Sequence, residues 1–199
     1  MLTEFSYFTQ LTRLKLIKCY IQHEDDFFHL MNNIWCLPKL TYCDLDINKT
    51  NSDHLFWRLT MTSTSIESIS VRTIHMNLRD LSNLSEHTPQ LRHLYINLSS
   101  DSININLPIY VFSSIMKLNV VCESLQFALI HLLKSMPNLS HLKLQASRMS
   151  LNGHEWKKVI ENHLPKMKIF RFYMLFHLWT NTNMENQVDE LIKTFRTPF

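Results

Sequence analysis

The sequence predicts an α/β fold: a horseshoe-like solenoid of about seven strand-helix units with a parallel concave sheet and helices on the convex side. Three observations predict it. A short apolar phrase recurs at near-constant spacing. A proline stands at one fixed position ahead of four of the phrases. Helical apolar patterns fill much of the sequence between them.

The phrase reads apolar, two residues, apolar, one residue, apolar. It occurs as Leu11-x-x-Leu14-x-Leu16, Leu40-x-x-Cys43-x-Leu45, Ile66-x-x-Ile69-x-Val71 and Leu91-x-x-Leu94-x-Ile96. It continues as Ile115-x-x-Leu118-x-Val120, Leu139-x-x-Leu142-x-Leu144 and Met167-x-x-Phe170-x-Phe172. Successive first positions are 29, 26, 25, 24, 24 and 28 residues apart. Alternating apolar positions imply strands buried on one side, near 14–16, 43–45, 69–71, 94–96, 118–120, 142–144 and 170–172. Pro38, Pro89, Pro137 and Pro165 each precede the first apolar position by two. The residue before a proline is pushed out of the helical region, so each proline ends a helix and turns the chain into a strand.

The helices are uneven. Phe27, Leu30, Met31 and Ile34 make a helical stripe, with Asp25 or Asp26 expected at its start. Leu125, Ala128, Leu129, Leu132, Leu133 and Met136 make another, with Ser124 as the expected cap. Trp156, Val159, Ile160, His163 and Leu164 form a third, and a C-terminal helix is expected near 184–195. The patterns around 55–59 and 78–84 are weaker, and 101–108 shows little helical pattern.

The 199 residues suffice for one domain with a buried core, taken as 1–199. Hydrophobic residues at 45% and charged residues at 19% place the chain among globular proteins rather than disordered ones. A net charge of +3 is too small to imply nucleic acid by itself. No apolar run is long enough to span a bilayer, and the N-terminus has no basic start followed by an apolar stretch, so an intracellular, cytoplasmic or nuclear, location is expected. The four cysteines, Cys19, Cys36, Cys43 and Cys122, include no C-x-x-C pair and are expected to be free and buried. Sequons at Asn48, Asn83, Asn97 and Asn138 would matter only in a secreted protein. The single glycine, Gly153, excludes G-x-G-x-x-G, P-loop and G-x-S-x-G chemistry, which need several.

The phrase resembles the leucine-rich-repeat consensus, whose period of ~20–29 residues it matches. Leu11-Thr-Arg-Leu14-Lys-Leu16-Ile-Lys-Cys19-Tyr-Ile21 fits best, with Cys19 at the Asn/Cys position. Asn48 holds that position in the second unit, but later units place Ile74, Ser99, Glu123, Ser147 and Leu175 there, so the family's polar ladder is mostly lost. The unit length is similar to that of the ribonuclease-inhibitor-like branch. MPNLSHLKL (136–144), GHEW (153–156), LPKMKIFRFYM (164–174) and FRTPF (195–199) resemble F-box-like leucine-rich-repeat proteins. The resemblance implies a protein-interaction module, the substrate-recognition part of an F-box-type ubiquitin ligase adaptor. Only ten residues precede Leu11, so the F-box itself is expected to be missing or to lie upstream, leaving the first strand an open edge.

The residues between the apolar positions would form the concave face. The candidate partner-binding residues are Arg13, Lys15, Tyr42, Asp44, Arg72, His93 and Tyr95, then Lys117, Asn119, His141, Lys143, Arg171 and Tyr173. Tyr and Arg bury large area and still hydrogen-bond, which suits an interface. The face is mildly basic, interrupted by Asp44 and Asp46. It suits either a protein with an acidic segment or no evolved ligand at all. No catalytic, cofactor or metal residues are expected. His23 to His29 is not H-E-x-x-H, and Cys122 with His131 has nothing to orient the imidazole. A hydrolase or metalloenzyme, a nucleic-acid-binding arc and a structural remnant remain the alternatives.

Overall fold

The computed structural model describes residues 7–49, 59–98, 111–123, 125–147, 151–175 and 193. Seven strands follow the phrase: β1 Arg13–Ile21, β2 Tyr42–Lys49, β3 Ser68–Met76, β4 His93–Leu98, β5 Lys117–Glu123, β6 His141–Ser147 and β7 Ile169–Leu175. They form one open sheet in the order β1 to β7, every neighbour parallel. Each expected strand centre lies inside an observed strand. Helices α1 Glu24–Trp35, α2 Leu78–His87, α3 Gln126–Lys134 and α4 Gly153–His163 connect them. The architecture is α/β, a single parallel sheet alternating with helices in the manner of a solenoid arc.

One backbone device sets the register six times. The carbonyl of the second phrase residue accepts two N–H groups from the next unit. Thr12 O takes those of Thr41 and Tyr42 at 2.9 and 3.2 Å, and Arg92 O takes those of Met116 and Lys117 at 2.9 and 3.0 Å. Thr41, Glu67, Met116 and Ser140 do the same for the units that follow them.

The prolines sit in the turn that precedes this device. Leu91 N–H donates to Thr88 O across Pro89 at 3.0 Å, and equivalent turns close over Pro38, Pro137 and Pro165. Proline presets φ for the second residue of such a turn. Phe8 to Leu11 and Phe112 to Ile115 close the same turn without proline. In the third unit a side chain substitutes: Ile66 N–H donates to Ser63 Oγ at 3.4 Å.

The helix starts differ from expectation in two places. His23 precedes α1 without a side-chain cap bond, and Asp25 and Asp26 fall within its first turn, where they face the positive end of the dipole. Leu125 precedes α3, again without a side-chain cap, and the expected cap Ser124 lies outside the described residues. α2, weak in the sequence, is a ten-residue helix with a reciprocal capping box between Asn77 and Asp80. Asp80 N–H donates to Asn77 Oδ1 at 2.9 Å, and Asn77 N–H donates to Asp80 Oδ2 at 3.0 Å. Asn152 and Glu155 repeat the box at α4. The weak patterns at 55–59 and 101–108 fall almost wholly outside the described residues, as does the C-terminal helix near 184–195 apart from helical Lys193. Of the former only Leu59 is described, and it is buried.

The phrase residues and the helix stripes form one continuous core. Leu94, Leu118, Leu142, Val120 and Leu144 are each at most 3% exposed, whereas Leu14 and Leu16 at one end, and Phe170 and Phe172 at the other, are only partly buried. At the β7 end Trp156 packs on Phe170 and Phe172, with ring centroids 5.1 and 5.7 Å apart. β1 carries an irregularity of its own. Leu16 pairs with Leu45 but Cys19 pairs with Ile47, so β1 holds one extra residue, and Lys18 takes φ 51°.

The burial gradient gives an expected outcome. Leu142→Ala should cost about 2–5 kcal/mol, the range for a truncated and fully enclosed leucine. Leu14→Ala should cost roughly half of that or less, because its side chain is only partly buried. Paired urea melts check this; equal losses would mean that β1 is packed as tightly as β6.

Candidate functional site

The strand register decides which side chains share the outer face. The first row runs Arg13, Tyr42, Ser68, His93, Lys117, His141, Ile169 from β1 to β7. The second runs Lys15, Asp44, Ser70, Tyr95, Asn119, Lys143, Arg171. Tyr173 lies one step further along β7, opposite Gln145. Arg72 follows the last paired residue between β3 and β2, where β3 bulges relative to β4.

These rows line a groove of about 440 Å³ on the sheet face. Tyr42, Arg72, His93 and Tyr95 line it from β2 to β4; Lys117, Asn119, His141, Lys143 and Arg171 line it from β5 to β7. Arg13, Lys15, Asp44 and Tyr173 do not. Ser68, Ser70 and Ile169, which the sequence places outward without marking them as contacts, line it too, and Ile69, Leu94, Leu118 and Leu142 of the inward positions complete it.

Asp44 departs most from expectation. It belongs to the outer face by register, yet it is 1% exposed. Lys15 Nζ and Arg72 Nη2 both reach its Oδ2, at 3.5 and 3.0 Å, and cover it. Its Oδ1 has no hydrogen-bond partner among the described residues. A buried carboxylate needs this kind of pairing, since desolvation without it is costly. Asp44 is therefore a clamp across three strands rather than a surface acid. The sequence spacing alone gave no sign of this, because Arg72 reaches back only where β3 bulges.

Elsewhere the face is aromatic and cationic. Arg13 stacks on Tyr42, 4.7 Å from the ring centre, and Lys143 lies 5.3 Å from that of Tyr173. Asn97 Nδ2 donates to Arg72 O. Ser140 Oγ lies 2.9 Å from Nδ1 of His141 and steadies the ring. The pKa of His93 is lowered by burial first and then by Lys117, so the neutral ring lines the groove at neutral pH.

Two of the four thiols are buried. Cys122 lies within β5, and burial pushes its pKa up to about 12. Burial, then Asp44, does the same to Cys43. Among the described residues no hydrogen bond joins Cys122 to His131. All four cysteines are free, but Cys36 is exposed and Cys19 partly so, contrary to the expectation of burial. Among the described residues no cluster of His, Cys, Asp or Glu could hold a metal ion, and no helix is long and apolar enough to cross a membrane.

Compared with family models, with curated protein sequences and with solved structures, the chain finds no match in any of the three.

Two outcomes follow. Iodoacetamide at pH 8 should label Cys36 first, leaving Cys43 and Cys122 untouched until urea unfolds the chain, because only the thiolate reacts. Mass spectrometry of the labelled peptides checks the order, and early modification of Cys122 would contradict its burial. Asp44→Ala should cost about 1–3 kcal/mol in a chemical melt, the range for losing charge-assisted hydrogen bonds to a buried acceptor. Thr9→Ala, on an exposed turn, serves as the neutral control.

Proposed function

We propose that this chain is a protein-recognition arc of the leucine-rich-repeat class, gripping a partner's acidic segment on the sheet face opposite its helices. The observation that carries the reading is the groove itself. It is an open face about 440 Å³ in capacity, lined by Tyr42, Tyr95, Arg72 and Arg171 with cations among them. Aromatic and arginine side chains supply most of the affinity at protein interfaces. The absence of a metal cluster among the described residues and the high pKa of Cys122 give no support to a hydrolase. Asp44 is buried and doubly paired, so Asp46 is the acid left to interrupt the face, and its cations are too few for a nucleic-acid track. The setting we propose is substrate recognition within an F-box-type ubiquitin ligase adaptor, as the repeat wording implies.

The test compares proteins retained by the immobilised chain. Tyr95→Arg with Lys143→Glu should cut retention of a specific partner by about tenfold or more, as loss of central contacts does. Lys158→Glu, on the exposed side of α4, should leave it unchanged. Retention that follows Lys158 and ignores the sheet face would overturn the reading. Recovery of a cullin scaffold among the retained proteins separates the ligase setting from simple binding.

A further inference from the structure

The charges on the sheet face are divided unequally between its two ends. At the β1–β3 end Lys15, Arg72 and Arg13 have internal partners: Lys15 and Arg72 hold Asp44, and Arg13 lies on Tyr42. At the β5–β7 end Lys143 likewise lies near the ring of Tyr173, and the two ends differ in their carboxylates. Among the described residues no carboxylate lies within ion-pair distance of Lys117, Lys143 or Arg171. Lys143 and Arg171 are direct register partners on adjacent strands, where like charges oppose each other unfavourably. His141 is the register partner of Lys117. Its Nδ1 faces Ser140 Oγ, and its Nε2 has no partner among the described residues. All four side chains line the same groove.

Three strands thus bring three fixed cations and an imidazole to one place with no anion of their own. Adjacent strands are only ~4.8 Å apart, so these flexible heads can converge on one group. We infer that Lys117, His141, Lys143 and Arg171 form a subsite for a phosphorylated side chain of the bound protein. This deepens the binding role proposed above and rests on it.

Charge favours a phosphoryl group over a carboxylate. A carboxylate brings one negative charge, leaving the Lys–Arg pair largely unbalanced. A phosphoryl group brings about −1.5 to −2 and three acceptor oxygens. The guanidinium fork of Arg171 matches two of those oxygens at once. Tyr95 and Asn119 continue the row beyond Lys143 and make no side-chain hydrogen bond among the described residues. They are placed to take the partner's neighbouring backbone. The β1–β3 end has no comparable surplus, so the face accommodates one phosphoryl group, at the β5–β7 end.

The experiment uses degenerate peptide arrays with a fixed central phosphoserine or phosphothreonine, and matched arrays with central serine or glutamate. The full chain should bind the phosphorylated arrays about tenfold above both controls. Lys143→Ala with Arg171→Ala should remove that difference, and Arg13→Ala should not. Both sites are exposed, and an unchanged circular dichroism melt confirms that the variant is folded. Equal binding to glutamate and phosphoserine arrays, lost together in the double variant, overturns the phosphoryl subsite and keeps the acidic-partner reading. Phosphopeptide binding unaffected by the double variant overturns the subsite as well. Partner retention indifferent to every sheet-face substitution overturns the binding role itself.

Discussion

In every unit but the last, one carbonyl oxygen, that of the residue after the first apolar position, receives two N–H groups from the unit that follows. The sheet depends on this shared acceptor, because it decides where each new strand begins against the old one. Side chains on a strand alternate, so a slip by one residue would carry the leucines to the outer face and the lysines into the core. With the start fixed, Leu94, Leu118 and Leu142 fall on one line and are closed over by the helices. The outer rows are a by-product of the same constraint. Tyr95, Asn119 and Lys143 stand side by side because the residues next to them are held inward.

A single unit could not do this. Its three apolar side chains need neighbours on both sides, and among the described residues the two outermost strands have a neighbouring strand on one side only. Leu14 and Leu16 on β1, and Phe170 and Phe172 on β7, are only partly covered. The ends differ in how they manage it. β7 gathers aromatic surface, with Trp156 lying against both phenylalanines. β1 breaks its own regularity, with a one-residue bulge and Lys18 in the left-handed region, which makes the edge a poorer template for a further strand.

The phrase and the proline turns were legible because they are local and repeated. Each states the same instruction, and the seven copies confirm one another. Some polar contacts between units lie before the strands, at the turns, where the apolar phrase carries no sign of them: Lys39 Nζ donates to Gln10 Oε1 at 2.6 Å, Lys166 Nζ to Asn138 Oδ1 at 2.5 Å, and Asn138 Nδ2 to Ser113 O at 2.7 Å. α2 looked weak because its stripe is short, yet Asn77 and Asp80, three apart, fix its first turn through side-chain bonds that apolar periodicity does not register. Asp44 was illegible for a different reason. Its burial depends on two side chains from flanking strands, one of them redirected by a bulge, and neither shares a local pattern with it.

Asp44 and the cationic row beyond it are opposite answers to the same electrostatic problem. A carboxylate enclosed by side chains has lost its water, so it must keep both cations in every state of the molecule. Lys117, Lys143 and Arg171 are exposed, and water and salt screen their mutual repulsion while the groove is open. Their proximity is inexpensive in that state and becomes significant only when a partner expels the water. An arriving anion then meets charges whose attraction strengthens as the local dielectric falls. An apolar segment closing over the same row would strand them unpaired. On the binding role proposed above, the face would discriminate chiefly through what it leaves unsatisfied, at the end that Asp44 does not reach.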